Sequence, residues 1–143
     1  MQHDDLAGAE APAMGAALRG IGLNLLVRDV AEETRFLTEV FDMRVLRADK
    51  DFALMAYGDQ VFQIHGDHTY HDNPLPSLLP EAGARGGGLE LRLYDTDPDD
   101  AARRAEAIGA VVLQPPAEKP HGLREAYLLD PSGYCWVPSR PIV

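Results

Sequence analysis

The chain has 143 residues, 45% hydrophobic and 25% charged, which suits one domain with a real core and excludes disorder throughout. Lys and Arg number 13 against 23 Asp and Glu, a formal net charge of -10 that repels phosphate backbones and anionic membrane surfaces. No nucleic acid and no membrane are therefore expected as partners, and no apolar run approaches the ~18 residues of a membrane span.

The lone cysteine, Cys135, excludes an internal disulfide and a Cys-based zinc finger. It suits a reducing compartment, and with no signal-like N-terminus a cytoplasmic location is expected. Cys135 itself reads as a small buried hydrophobe. Residues 1–18 begin Met1-Gln2-His3-Asp4-Asp5 and run into an Ala/Gly/Pro-rich stretch. They read as a loosely ordered extension, with Met14 as an alternative start. A single domain is expected over 19–143, with module one at about 20–66, a connecting loop at 67–86 and module two at about 87–143.

In chain order, the first predicted strand is Ile21 to Val27, alternating at first and closing Leu25-Leu26-Val27. Asp29 stands three residues before Glu32, the spacing of a capping box, so a helix is predicted from Val30 to Phe41. Val30, Leu37, Val40 and Phe41 form its apolar stripe, and Asp42 takes the stop position. Three short strands follow: Met43 to Leu46, Phe52 to Tyr57 and Val61 to His65. The turn Gly58-Asp59 marks the last two as a hairpin. The connection to residue 86 holds Pro74, Pro76 and Pro80 and reads as a linker or binding loop.

The same plan then repeats. A strand runs from Leu89 to Tyr94, and Asp97 followed by Pro98 opens a helix that ends at Ile108, with Gly109 as its stop. Strands follow at Val111 to Leu113, Leu123 to Leu129 and Tyr134 to Val137. The last two are joined by the turn Asp130-Pro131-Ser132-Gly133. Each unit reads strand, helix, strand, strand, strand, and the predicted class is α+β.

Alternation assigns faces. Ile21, Leu23, Leu25 and Val27 face a core, leaving Gly22, Asn24, Leu26 and Arg28 opposite. Phe62 and Ile64 alternate with Val61, Gln63 and His65. Leu89, Leu91 and Leu93 oppose Glu90, Arg92 and Tyr94. Polar groups therefore gather on one face of each module, and Glu90 and Arg92, two apart on one strand, can pair. Trp136 follows the parity of the helix-packed face. His65, His68 and His71 have a three-and-three spacing, but they run from a strand into a Pro-rich loop, so a mobile loop with Tyr70 for stacking is the better account than a metal cluster. The run Asp95, Asp97, Asp99, Asp100 lacks the Gly and the final Glu of a calcium loop and reads as helix capping.

The two units, the run Gly88-Leu89-Glu90-Leu91-Arg92-Leu93-Tyr94, the helix end Ala107-Ile108-Gly109-Ala110, His121-Gly122-Leu123-Arg124-Glu125 and the Asp130 turn together resemble the vicinal oxygen chelate superfamily. This is the glyoxalase, bleomycin-resistance and extradiol-dioxygenase group, and the resemblance covers about residues 20 to 140. It implies two βαβββ modules forming a curved mixed β-sheet cup with helices on the outside, and commonly a homodimer. It places the family's metal-ligand positions at Gly22, Gln63, Glu90 and Val137, two of which carry no ligating side chain. The implied type is thus a metal-free, bleomycin-resistance-like protein with no cofactor. It binds a small organic ligand through Asn24, Gln63, His65, Glu90, Arg92 and Tyr94, sequesters a toxic compound or antibiotic, and has no assigned catalytic residue. Two rivals stay open. One is a metal-dependent lyase or dioxygenase that completes its site with His65 or His121, and the other is a metal-free enzyme using Glu90 as general base.

Overall fold

The structure is a computed structural model that describes residues 3–143. The chain divides into two compact units: the described residues through Thr34 with Met43–Ser77, and Arg35–Asp42 with Leu78–Val143. Each holds one four-stranded sheet, and the two sheets repeat one topology.

In the first unit the strands are β1 (Asn24–Val27), β2 (Arg44–Ala48), β3 (Phe52–Tyr57) and β4 (Gln60–Gly66), in the order β1-β4-β3-β2. β1 runs parallel to β4 and the other neighbours are antiparallel, so the sheet is mixed. The second unit holds β5 (Glu90–Leu93), β6 (Val111–Glu118), β7 (Leu123–Leu129) and β8 (Cys135–Pro141), in the order β5-β8-β7-β6, again with one parallel pair. The predicted α+β class and paired βαβββ plan are what the chain adopts.

In the stretch read as a loose extension, the described residues form α1 (His3–Leu6) and α2 (Ala11–Ala17), and Leu6 is buried. The crossover helices are α3 (Val30–Phe41) and α4 (Pro98–Ala107). Their termini follow the residues that announced them. Asp29 Oδ1 accepts the Glu32 amide at 3.1 Å, and Asp97 Oδ1 accepts those of Asp99 and Asp100 at 3.0 and 3.4 Å. Past the helix ends, Asp42 and Gly109 both take left-handed backbone, with φ of 56° and 77°. The repeat thus extends to the conformation of its stops, with an Asp tolerated where the second unit has Gly.

Core faces follow the alternation within the strands, whereas Leu23 and Leu89, expected in the core, are exposed just before β1 and β5 begin. Leu25, Val27, Phe62 and Ile64 are buried as expected, whereas Ile21 is 96% exposed because β1 begins only at Asn24. Leu26, expected on the polar face, is 2% exposed, so that face carries an apolar patch as well. In the second unit α4 packs on β6, β7 and β8. Its alanines at 101, 102 and 105 are buried, and Arg124 clamps Asp99 with two hydrogen bonds of 2.7 and 2.8 Å. Trp136 joins the core beside Phe41, ring centroids 5.9 Å apart.

The turn after β7 is held by one buried carboxylate. Asp130 accepts the Ser132 and Tyr134 amides, both at 3.0 Å, and the Trp136 indole N–H at 2.9 Å. Gly133 completes it with φ of 93°, and a Cβ there would come within 2.4 Å of Ala84 Cα. Arg85 N donates to Ser132 O at 3.0 Å, so the end of the long connection is docked on this turn. The Asp-Pro-x-Gly motif is therefore a structural clasp. Replacing Asp130 by Ala strands three donors, so it should cost about 2–4 kcal/mol in urea unfolding with the fold otherwise kept.

Candidate functional site

The polar faces foreseen in the sequence exist in each unit. Asn24, Gln63 and His65 lie in the first unit, and Glu90, Arg92 and Tyr94 in the second.

In the first unit, Asn24 and Gln63 are register partners across β1 and β4. Gln63 also pairs with Leu54, and His65 with Phe52, which sets all five on one face. His65 Nε2 donates to Gln63 Oε1 at 3.1 Å, since that oxygen can only accept. The imidazole ring is flanked by Phe52 at 5.0 Å and Tyr70 at 5.4 Å between centroids. Burial lowers the His65 pKa and keeps the ring neutral. The other two histidines of the run go elsewhere. His68 Nε2 meets Asp51 Oδ1 at 2.6 Å, and His71 Nδ1 donates to the His68 carbonyl at 3.0 Å.

The second unit carries the stronger electrostatics. On β5, Arg92 Nη1 donates to Glu90 Oε1 at 2.7 Å, the pair that the i, i+2 spacing allows. Arg92 Nη2 donates to Glu125 Oε2 at 2.5 Å. Glu125 belongs to β7, two strands away, so the Arg92 side chain crosses over β8 to reach it, about 10 Å at ordinary strand spacing. Val137, the register partner of Arg92 on β8, is fully buried. His121 Nε2 lies 3.3 Å from the same Glu125 oxygen, and the Arg92 guanidinium carbon sits 5.6 Å from the Tyr94 ring centroid.

Exposure grades this cluster. The Glu125 side chain is 2% exposed, Arg92 23% and Glu90 45%. Burial by itself would push the Glu125 carboxyl up. The hydrogen bonds from Arg92 and then His121 outweigh it and hold Glu125 below the usual carboxylate range. Arg92 is held charged in the same way: burial opposes its charge, and bonds to Glu125 and then Glu90 raise its pKa. The negative field spreads to its neighbours. The Tyr127 hydroxyl is pushed up by burial and then by Glu90 and Glu125, and the Cys135 thiol by burial and then Glu90.

Glu125, Tyr127 and Cys135 were not among the residues expected here. A signal for two of them was present: Ala126 and Leu128 read as core, so Glu125 and Tyr127 take the opposite parity on β7. Cys135 joins them because it is the register partner of Glu90.

The places that the resemblance assigns to metal ligands do not form a donor set. Gly22 and Val137 bring no donor atom, Gln63 Oε1 is bonded by His65, and Glu90 is engaged by Arg92. A catalytic divalent cation ordinarily takes three protein ligands, so these residues do not fit one. Among the described residues no three His, Cys, Asp or Glu side chains gather closely enough to hold a metal ion.

Glu125 links this cluster to acid stability. Its folded pKa lies below its unfolded one, so its contribution is present above about pH 4.3 and is lost as pH falls through the folded value. Glu125→Gln should lower stability at pH 7 by about 3 kcal/mol and flatten the acid limb of stability against pH, read by urea titrations between pH 2 and 7.

Known proteins bear the same architecture. The family model described as Glyoxalase/Bleomycin resistance protein/Dioxygenase superfamily matches residues 21–137. The crystal structure of a family enzyme of that description from Burkholderia phytofirmans PsJN superposes with a TM-score of 0.69 at 20% identity, over 84% of this chain and 96% of that one. Lactoylglutathione lyase from Agrobacterium tumefaciens gives 0.62 at 20% identity, over 85% and 92%. Fosfomycin resistance protein FosX from Mesorhizobium loti gives 0.63 at 20% identity, over 88% and 95%. No curated protein matches the sequence. Identities at this level speak for the fold alone, and no helix of the described residues is long and apolar enough to cross a membrane. With the family model spanning most of its length, the chain belongs to the glyoxalase/bleomycin resistance protein/dioxygenase superfamily.

Proposed function

We propose that this protein binds a small organic molecule without a metal, and that the molecule offers a cation or a hydrogen-bond donor to the Glu90–Arg92–Glu125 cluster. The observation that carries the reading is the charge balance of that cluster. Two carboxylates share one guanidinium, and the carboxylate left half-exposed is Glu90. The surplus charge at the accessible end is negative, and the chain's -10 adds to it. Arg92 already holds two carboxylates, so it is poorly placed to take a third from a ligand.

The donors at the metal-ligand places support a metal-free mode, because the guanidinium stands where a cation would neutralise Glu90. Binding is favoured over catalysis for a related reason. Glu125 is kept ionised by Arg92 and serves as a fixed anchor rather than a group that exchanges protons near neutral pH. Likeness to a resistance protein suggests sequestration of a toxic compound or antibiotic as the role. The first unit's Asn24, Gln63 and His65 offer a further set of neutral hydrogen-bonding groups.

Two experiments test this. Protein purified without chelator should contain well under one equivalent of zinc, nickel, iron or manganese by elemental analysis. A stoichiometric metal removed only by strong chelator would overturn the reading. A molecule that co-purifies, identified by native mass spectrometry, should then lose affinity by about 1–3 kcal/mol on Glu90→Gln, measured by calorimetry, with fold stability nearly unchanged. Unchanged affinity would move the site off this cluster.

A further inference from the structure

Leu6 on α1 is 3% exposed, although Asp5, Gly8 and Glu10 around it are exposed. α1 touches β2, and beyond it Arg47 Nη1 donates to the Ala9 carbonyl at 3.1 Å. Arg47 pairs with Leu54, and Leu54 with Gln63, so Arg47 and Gln63 stand on the same face of the first sheet. The Arg47 guanidinium carbon also lies 5.8 Å from the ring centroid of Phe52, the register partner of His65. The N-terminal segment is thus anchored at the edge strand β2, on the face that carries Asn24, Gln63 and His65 two and three strands away.

The chain that follows this anchor is weakly held. α2 buries no residue and has no side-chain cap. Gly20 takes left-handed backbone with φ of 75°, and Ile21 is 96% exposed. A segment that buries Leu6 alone among residues 5–10, with an exposed connector behind it, has a low free energy of local opening.

We propose that residues 5–10 form a strap that closes over the polar face of the first sheet and gates access to it. Leu6 is the latch, Arg47 is the catch, and stretch 10–23 is the connector on which the strap swings. Gln63 and His65 are half-buried with the strap in place; the closed strap narrows access to them and the open strap widens it. The gating of a ligand rests on the binding function proposed above, whereas the strap itself is tested without one.

The test uses the full chain with Cys135→Ala and a reporter thiol introduced by Gln63→Cys, probed with the thiol reagent DTNB. Adding Leu6→Asp should raise the reaction rate about tenfold, the factor that corresponds to about 1.4 kcal/mol of closure. Arg47→Gln removes the Ala9 bond and the guanidinium beside Phe52 but keeps Leu6, and should give a smaller rise in the same direction. A second reporter, Gln60→Cys, lies on the opposite parity of β4 at an exposed position and should react at an unchanged rate. No rise at position 63 in either variant, or an equal rise at position 60, overturns the strap. Metal content and ligand affinity do not enter these rates, so failure of the strap and failure of the proposed function are separable.

Discussion

A carboxylate buried as deeply as Glu125 needs a fixed cation, and the polar face of the second sheet is arranged around that need. Arg92 answers it by crossing β8, and in doing so covers the stripe beneath and takes up Glu90. The charges are then no longer independent. Glu125 stays ionised, Arg92 is committed, and Glu90 is left with the accessible negative charge. Tyr94, Tyr127 and Cys135 surround this arrangement, and the hydroxyl of Tyr127 and the thiol of Cys135 are both harder to ionise for it. An ionic floor of this kind favours a fixed shape.

The same topology carries a different face in the first unit. There the polar row is neutral, with an imidazole kept uncharged by burial and bonded to an amide, and Leu26, Leu54 and Phe52 share the surface with it. Two copies of one fold have thus diverged in the chemistry of one face, while the opposite faces stay apolar in both. Core positions tolerate only apolar volume, whereas the opposite face can change without disturbing the packing.

The ends of the elements show how local rules and tertiary demands divide the work. Asp29 and Asp97 cap their helices through bonds to residues two or three positions on, and nothing distant is required. Gly133 is different. Its backbone angle suits a turn anywhere, but the absence of a Cβ matters because Ala84 arrives from a connection that lies far back in sequence. The motif around Asp130, read in the sequence as a turn, proves to be the clasp on which that connection docks.

Read alone, the sequence determined both crossover helices almost to the residue, the strands Phe52 to Tyr57 and Leu123 to Leu129, the doubled plan and the pairing of Glu90 with Arg92. Capping and alternation act between residues a few positions apart, so they are written in the chain's own order. What only the tertiary structure decided was adjacency: that β8 lies between β5 and β7, that Glu125 stands within reach of Arg92, that Cys135 sits beside Glu90, and that Leu6 folds back toward β2. Parity along β7 could have placed Glu125 on that face, yet no periodicity can say which strand neighbours which. That choice is made by non-local packing of strands separated by a helix or a long loop, where the competing pairings look alike until the whole sheet has formed.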